Sequence, residues 1–317
     1  MAAQVFEDAW RLARLHFTGV PPLLVRDWVQ DAYTRLCAYR GGGWAFLRKE
    51  AFISVLASRA VTVTYTQGSP TITSAALFVS TDAGRQIKTS TYPVYTIASV
   101  TDASTAVLDQ SYAGTGGAIS STILDAYVTC PADFERFLII VDPYNQRILP
   151  FWVSQDELGL TDPSRTVSDS GPRYLVSQGF STATATLGQV RYEFSPYPTA
   201  ARQYPYLYYK QAERFSETST LPGVLNNRAD LLKLGAQVSA AEWPGSADQK
   251  NPYYNLNLAA RLEERWSLEL QRLSLADDNQ YPEDLMAVHW ARRYFPLAPT
   301  TQYLRMTDAT LADYVGG

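Results

Sequence analysis

Residues 61–73 read VTVTYTQGSPTIT. Val61, Val63 and Tyr65 alternate with threonines, the period-2 pattern of a strand with one face turned to a core. Gln67-Gly68-Ser69-Pro70 breaks the alternation with turn residues, and Thr71-Ile72-Thr73 resumes it. The stretch therefore predicts a β-hairpin. A lone hairpin is marginal in water, so neighbouring sequence has to supply further strands.

Downstream it does. GRQIKTS (84–90), YPVYTIASV (92–100), TAVLDQSY (105–112), AISSTILDAYVT (118–129), RFLIIVD (136–142), RILPFWVS (147–154), YLVSQG (174–179), QVRYEFSPYP (189–198) and YPYLYYKQA (204–212) are short, rich in β-branched and aromatic residues, and separated by turn signals. Residues 60–210 read as a β-rich region. The Ser/Thr-rich stretch 99–122 carries too much Val, Ile, Leu and Tyr to be a linker.

Upstream the period changes. AQVFEDAWRLARLHF (3–17) places Val5, Phe6, Ala9, Trp10, Ala13 and Phe17 near one helical stripe, and Gly19 with Pro21-Pro22 stops it. A second helix starts on those prolines and runs to Arg40, with Leu24, Trp28, Ala32 or Tyr33, and Leu36 facing inward, before Gly41-Gly42-Gly43. LRKEAFISVLAS (47–58) is ambiguous between helix and strand. Past the strands, helices are expected over 225–243 and 251–278, the latter with Tyr254, Leu258, Leu262, Trp266 or Arg265, Leu270 and Leu273 on one face. Beyond Asp278 the prolines 282, 296 and 299 break every period, and an extended arm is expected.

Neither helical end has enough faces to bury itself alone. The expected fold class is thus α+β: a helical bundle core from 1–59 and 220–280, an inserted β-rich, sandwich- or barrel-like domain over 60–215, and an extended C-terminal arm over 281–317.

Composition excludes several classes of function. The 317 residues are 46% hydrophobic and 18% charged with a net charge of −4, too apolar for disorder and too acidic for general attraction to nucleic acid. Two cysteines, Cys37 and Cys130, make no disulfide framework and no metal-ligand cluster, so synthesis in a reducing cytoplasm is expected. No apolar run reaches the ~18 residues of a membrane span and the N-terminus lacks a signal-peptide pattern, so a protein without membrane attachment is expected. The 21 Tyr, 12 Phe and 7 Trp suit either a β core or protein interfaces.

Catalytic devices are sparse. The two histidines, His16 and His289, lie at a helix end and in an aromatic segment, outside any nucleophile signature. No phosphate-binding glycine motif occurs, and Gly41–Gly43 and Gly114–Gly117 read as flexible loops. A glycosidase pair drawn from Asp125, Asp133, Glu135 and Glu193 would need those carboxylates to meet in space. Tyr204, Tyr206, Tyr208 and Tyr209 alternate as on a strand and fit core, a subunit contact or a sugar-stacking face. No enzyme activity, cofactor or metal is expected.

One family resemblance stands beside this reading. VRDWVQDAYTRLCAYRGGGWAFLRKE (25–50) resembles the acidic-aromatic opening helix of head-to-tail adaptor (connector) proteins of tailed bacteriophages. VTVTYTQGSPTIT, DAGRQIKTS, YPVYTIASV, STAVLDQSYAG and CPADFERFLIIVDP follow in the order of the β module of such adaptors. The likeness spans 20–280; the triple glycine before Trp44 and the long C-terminal segment depart from it.

The resemblance implies a structural virion protein of the neck between capsid and tail, made in the host cytoplasm. It would form a homo-oligomeric ring of about a dozen copies between the portal protein and a tail or nozzle protein, with DNA passing through without sequence-specific binding. By that analogy Arg292, Arg293, Tyr294, Phe295, Tyr303 and Leu304 on the arm would contact the portal. Trp28, Tyr33, Trp44 and Trp266 would serve subunit contacts. The alternative is a virion β-domain that binds host glycans through the tyrosine strand.

Overall fold

The structure, a computed structural model, describes residues 5–89, 94–151, 154–166, 171–181, 186–216, 219–225, 228–246, 250–280, 290–291 and 293–294. In chain order come helices α1 (Phe6–His16) and α2 (Pro22–Ala38), then strands β1 (Arg48–Val55), β2 (Arg59–Tyr65), β3 (Thr71–Ser74), β4 (Gln86–Lys88), β5 (Val94–Asp102), β6 (Thr105–Leu108), β7 (Gly117–Leu124), β8 (Tyr127–Thr129), β9 (Phe134–Asp142) and β10 (Arg147–Ile148). Helix α3 (Gln155–Thr161) precedes β11 (Tyr174–Phe180), β12 (Val190–Ser195) and β13 (Arg202–Lys210), and helices α4 (Ala229–Glu242) and α5 (Leu256–Gln280) follow. The chain divides into two compact units, 1–49 with 209–287, and 50–208 with 288–317.

In the second unit, 61–73 forms the expected hairpin, with Val63 opposite Ser74 and Tyr65 opposite Ile72. It belongs to a closed barrel in the order β2-β3-β6-β5-β4-β7. Closure comes from β2 pairing antiparallel with β7, from Arg59 opposite Ile123 to Tyr65 opposite Gly117. Because side chains alternate, Val61, Val63, Tyr65, Ile72, Ile87, Ile97 and Ile123 all reach the same interior. Burial pushes the Tyr65 phenol up to about 12, while its hydroxyl meets Ser121 Oγ at 3.0 Å.

The remaining strands make two sheets, β1-β13-β9-β10 and β11-β12-β8. Both contribute to a single apolar cluster that includes Val55, Val128, Phe137, Ile140, Leu175, Phe194 and Tyr206. Cys130 lies in it, its thiol pushed up to about 12 by burial.

In the first unit α4 contacts α1, α2 and α5. Most of it is buried, Leu231, Leu232, Ala236, Val238, Ala240 and Ala241 among them, and its polar residues Asp230, Lys233, Gln237, Ser239 and Glu242 keep to the remaining, more exposed positions. Gly235 sits where its neighbours come nearest: a Cβ there would lie 2.6 Å from Ala32 Cβ and 3.1 Å from the Trp266 ring. The Trp44 indole donates to Leu36 O at 2.7 Å, adding to the bond that carbonyl accepts from Tyr39 N at the end of α2.

These findings correct the expected fold class. The molecule is a mixed α/β, largely β-rich fold with five α-helices among the described residues, a closed six-stranded barrel and two further sheets. It is not a terminal helical bundle flanking one inserted β domain: α3 lies among the strands, and the boundary between units falls inside β1 and β13. The physical reason is that local periodicity marks strands but says nothing about which strands pair. The ambiguous 47–58 stretch is strand β1. On α5 the buried face is Ala259, Trp266, Leu270 and Leu273, with Tyr254 and Leu258 exposed. Most of the expected arm, 281–317, lies outside the described residues; of the described part, Trp290 and Ala291 are buried.

Candidate functional site

The site begins with two chain reversals in the first unit. α1 ends at His16, and Gly19 at φ 83° turns the chain towards Pro21 and α2. At the other reversal Asn251 Nδ2 donates to Ala240 O (2.6 Å) and Trp243 O (2.7 Å), tying the start of the next segment to the end of α4. Asn255 Oδ1 then accepts from Leu258 N at 3.1 Å, an N-cap for α5. Tyr253 is locked between the two turns, its hydroxyl donating to Thr18 O at 2.9 Å and its ring edge-on to Phe17 at 5.1 Å.

These turns leave an open cleft of about 390 Å³, walled by Phe17, Tyr253, Tyr254, Leu258 and Leu262, with His16, Gln237 and Asn255 as its polar groups. The His16 and Gln237 Nε2 atoms lie 2.9 Å apart. Burial, then the charge of Lys233, lowers the His16 pKa and holds the imidazole neutral near pH 7. No cleft-lining residue then carries a formal charge. The tyrosine hydroxyl is already committed to the backbone, so the arrangement suits reception of an uncharged, largely apolar group more than bond-making chemistry.

The carboxylates considered for hydrolysis do not converge. Glu193, buried, takes Arg165 Nε and Tyr197 OH on one oxygen, each at 2.8 Å, and Gln178 on the other. Asp125 holds Arg85 Nε (2.7 Å) and Leu56 N (2.6 Å), Asp133 accepts from Tyr208 OH (2.9 Å), and Glu135 is exposed. Glu193, Asp125 and Asp133 each tie neighbouring segments of the β unit together. Among the described residues no group of three or more His, Cys, Asp or Glu is placed to hold a metal ion, and no helix is long and apolar enough to cross a membrane.

The tyrosine strand is core. Tyr204, Tyr206, Tyr208 and Tyr209 are at most 3% exposed, because β13 runs between β1 and β9 and is covered on both faces, so no ring is open to a sugar. Trp28, Tyr33, Trp44 and Trp266 are likewise no more than 6% exposed and spend their area inside the chain. Of the residues assigned to the portal, Arg293 is exposed and pairs with Glu50 at 3.8 Å, and Tyr294 OH donates to Glu50 at 2.9 Å. Arg292, Phe295, Tyr303 and Leu304 lie outside the described residues, as does His289.

Sequence reading missed a second surface, the tip of the β11–β12 hairpin. Phe180 is 67% exposed and Leu187 72%. The signal was present: from Tyr174 to Val190 there is no charged residue. No protein-family model and no curated protein matches this chain.

Proposed function

We propose that this chain is a structural protein that works by docking to other proteins, as one copy of the adaptor ring that joins the portal to the tail of a tailed bacteriophage and continues its DNA channel. The observation that carries the reading is the exposed apolar surface. Leu15, Leu160, Phe180 and Leu187 each stand more than 60% exposed, while Asp125, Asp133 and Glu193 are held in internal hydrogen bonds. Exposed apolar side chains offer area for contact with another protein and no chemistry of their own. The order of strand motifs, which resembles the adaptor β module, narrows that protein class to the phage neck, with portal protein above and a tail or nozzle protein below. The glycan-binding alternative loses its tyrosine face to burial.

The test is the native mass of the purified protein, alone and mixed with portal rings, by light scattering. A stoichiometric ring of about a dozen copies on the portal is the expected outcome. A protein that ignores the portal overturns the reading.

A further inference from the structure

The barrel and the sheets of the second unit keep separate interiors. Val61, Val63, Ile72, Ile87, Ile97 and Ile123 belong to the barrel cluster, Val55, Phe137, Ile140, Leu175 and Phe194 to the sheet cluster, and the two share no residue. A closed barrel leaves no strand edge for a sheet to continue, and no barrel strand belongs to either sheet. The chain enters the barrel through 56–58, between β1 and β2, and leaves it through 125–126, between β7 and β8. Two short crossings between two self-contained cores are the arrangement of a hinge.

We propose that the barrel is a hinged module and that the Asp125–Arg85 pair is the lock that sets its angle against the sheets. The pair holds both crossings at once. Asp125, on the exit crossing, accepts from Arg85 Nε on Oδ1 at 2.7 Å and from Leu56 N, on the entry crossing, on Oδ2 at 2.6 Å. Arg85, directly ahead of β4, donates from Nη2 to Ala57 O at 2.9 Å. The lock is seated on the barrel: Asp82 Oδ1 lies 3.6 Å from Arg85 Nη1, and its other oxygen takes Arg59, the first residue of β2. The side chains of Arg85 and Asp125 are 8% and 15% exposed, so water competes weakly for the pair.

The remaining contacts at the joint touch one crossing or neither, so they do not couple the two. Gln86 Oε1 accepts from Ala126 N at 2.9 Å and Tyr127 N at 3.0 Å, and Ser58 N donates to Thr199 O at 2.9 Å. Lys88 donates to Arg165 O and lies over the Tyr197 ring, and a small apolar cluster joins Val94 and Leu124 to Ala126, Tyr127 and Tyr197.

Asp125→Ala opens the lock without stranding a charge, because Arg85 keeps Asp82 beside it, and Leu56 N comes free at an exposed position where water can take it. Nitroxides on Thr101→Cys of β5 and Glu135→Cys of β9, both exposed, measure the distance from barrel to sheet in the full chain; the native cysteines are buried and stay unlabelled. With Asp125 intact, pulsed electron resonance should give one narrow distance, and with Asp125→Ala a distribution about twice as wide. Hydrogen exchange should meanwhile leave barrel and sheet strands protected as in the wild type. Asp125→Asn, which can still accept one of the two bonds, should fall between. A width unchanged by Asp125→Ala, or a wild-type distribution as broad as the variant's, overturns the lock. Loss of protection in barrel and sheets together, in both variants, overturns the hinge, since two separate cores should outlive the joint.

Discussion

The two units bury charge to different extents. In the helical unit, ion pairs such as Arg35–Glu263 and Arg228–Glu269 lie at the partly exposed surface, and the interior is mainly aromatic rings, leucine and alanine, with Asp277, which accepts from Ala45 N, the buried acid among the described residues. In the β unit, Asp82, Asp142, Asp162 and Glu193 are buried. The difference follows from the backbone. A helix pairs its own N–H and C=O groups, whereas loops that cross strand ends leave donors unpaired. The buried acids meet that need: Asp82 accepts from Val79 N, Asp142 from Tyr144 N and Asn145 N, and Asp162 from Thr166 N. Arginines then offset the buried charge, Arg165 for Glu193 and Arg59 for Asp82.

The comparison breaks most sharply at Glu193. Glu193→Gln leaves the buried Arg165 guanidinium without its counter-charge and should cost about 3–5 kcal/mol. Hydrogen exchange should show the loss in β11 and β12; protection as in the wild type would mean the pair is dispensable. Gly235→Ala should cost about 1–3 kcal/mol by overpacking against Ala32 and Trp266. Five of the seven tryptophans, 10, 28, 44, 243 and 266, lie in the helical unit, so tryptophan fluorescence reads that loss in denaturant. A smaller change is expected for Tyr208→Phe, which removes the bond to Asp133 and should lower the unfolding free energy read from urea melts by about 1 kcal/mol.

The smallest effect is the pH dependence of His16. Its folded pKa lies below the ordinary 6.5, so the unfolded chain takes up the proton first as pH falls. Stability is therefore full above pH 6.5, declines below it until the folded pKa is reached, and is flat thereafter. Melting temperatures at pH 7.5 and 5.5 should differ less in His16→Gln than in the wild type.

Legibility tracked locality. The 61–73 hairpin was plain because its partner strands are adjacent in sequence, and α2 because Pro21-Pro22 and the glycines bracket it. Barrel closure was not, since β2 finds β7 across four intervening strands and no local pattern encodes that pairing. α3 carried a readable start, Ser154 accepting from Glu157 N, but seven residues are too few for a period to emerge. The tyrosines of β13 and the tryptophans of α2 and α5 could be named as important, but whether such rings lie in a core or on a surface depends on what packs over them. The cleft hides for the same reason, being assembled from residues 16–17, 237–241 and 252–262. The uncharged stretch from Tyr174 to Val190 alone could have been marked out from sequence.

The pairing of β1 with β13 sets a clock. Residues 48–55 leave the ribosome some 150 positions before 202–210, roughly eight to thirty seconds at ordinary translation rates. Throughout that interval Phe52, Ile53 and Val55 lack the strand they pair with, and unpaired apolar strands are aggregation-prone. Arg48, Lys49 and Glu50 open the same strand with charge, a placement that opposes such association.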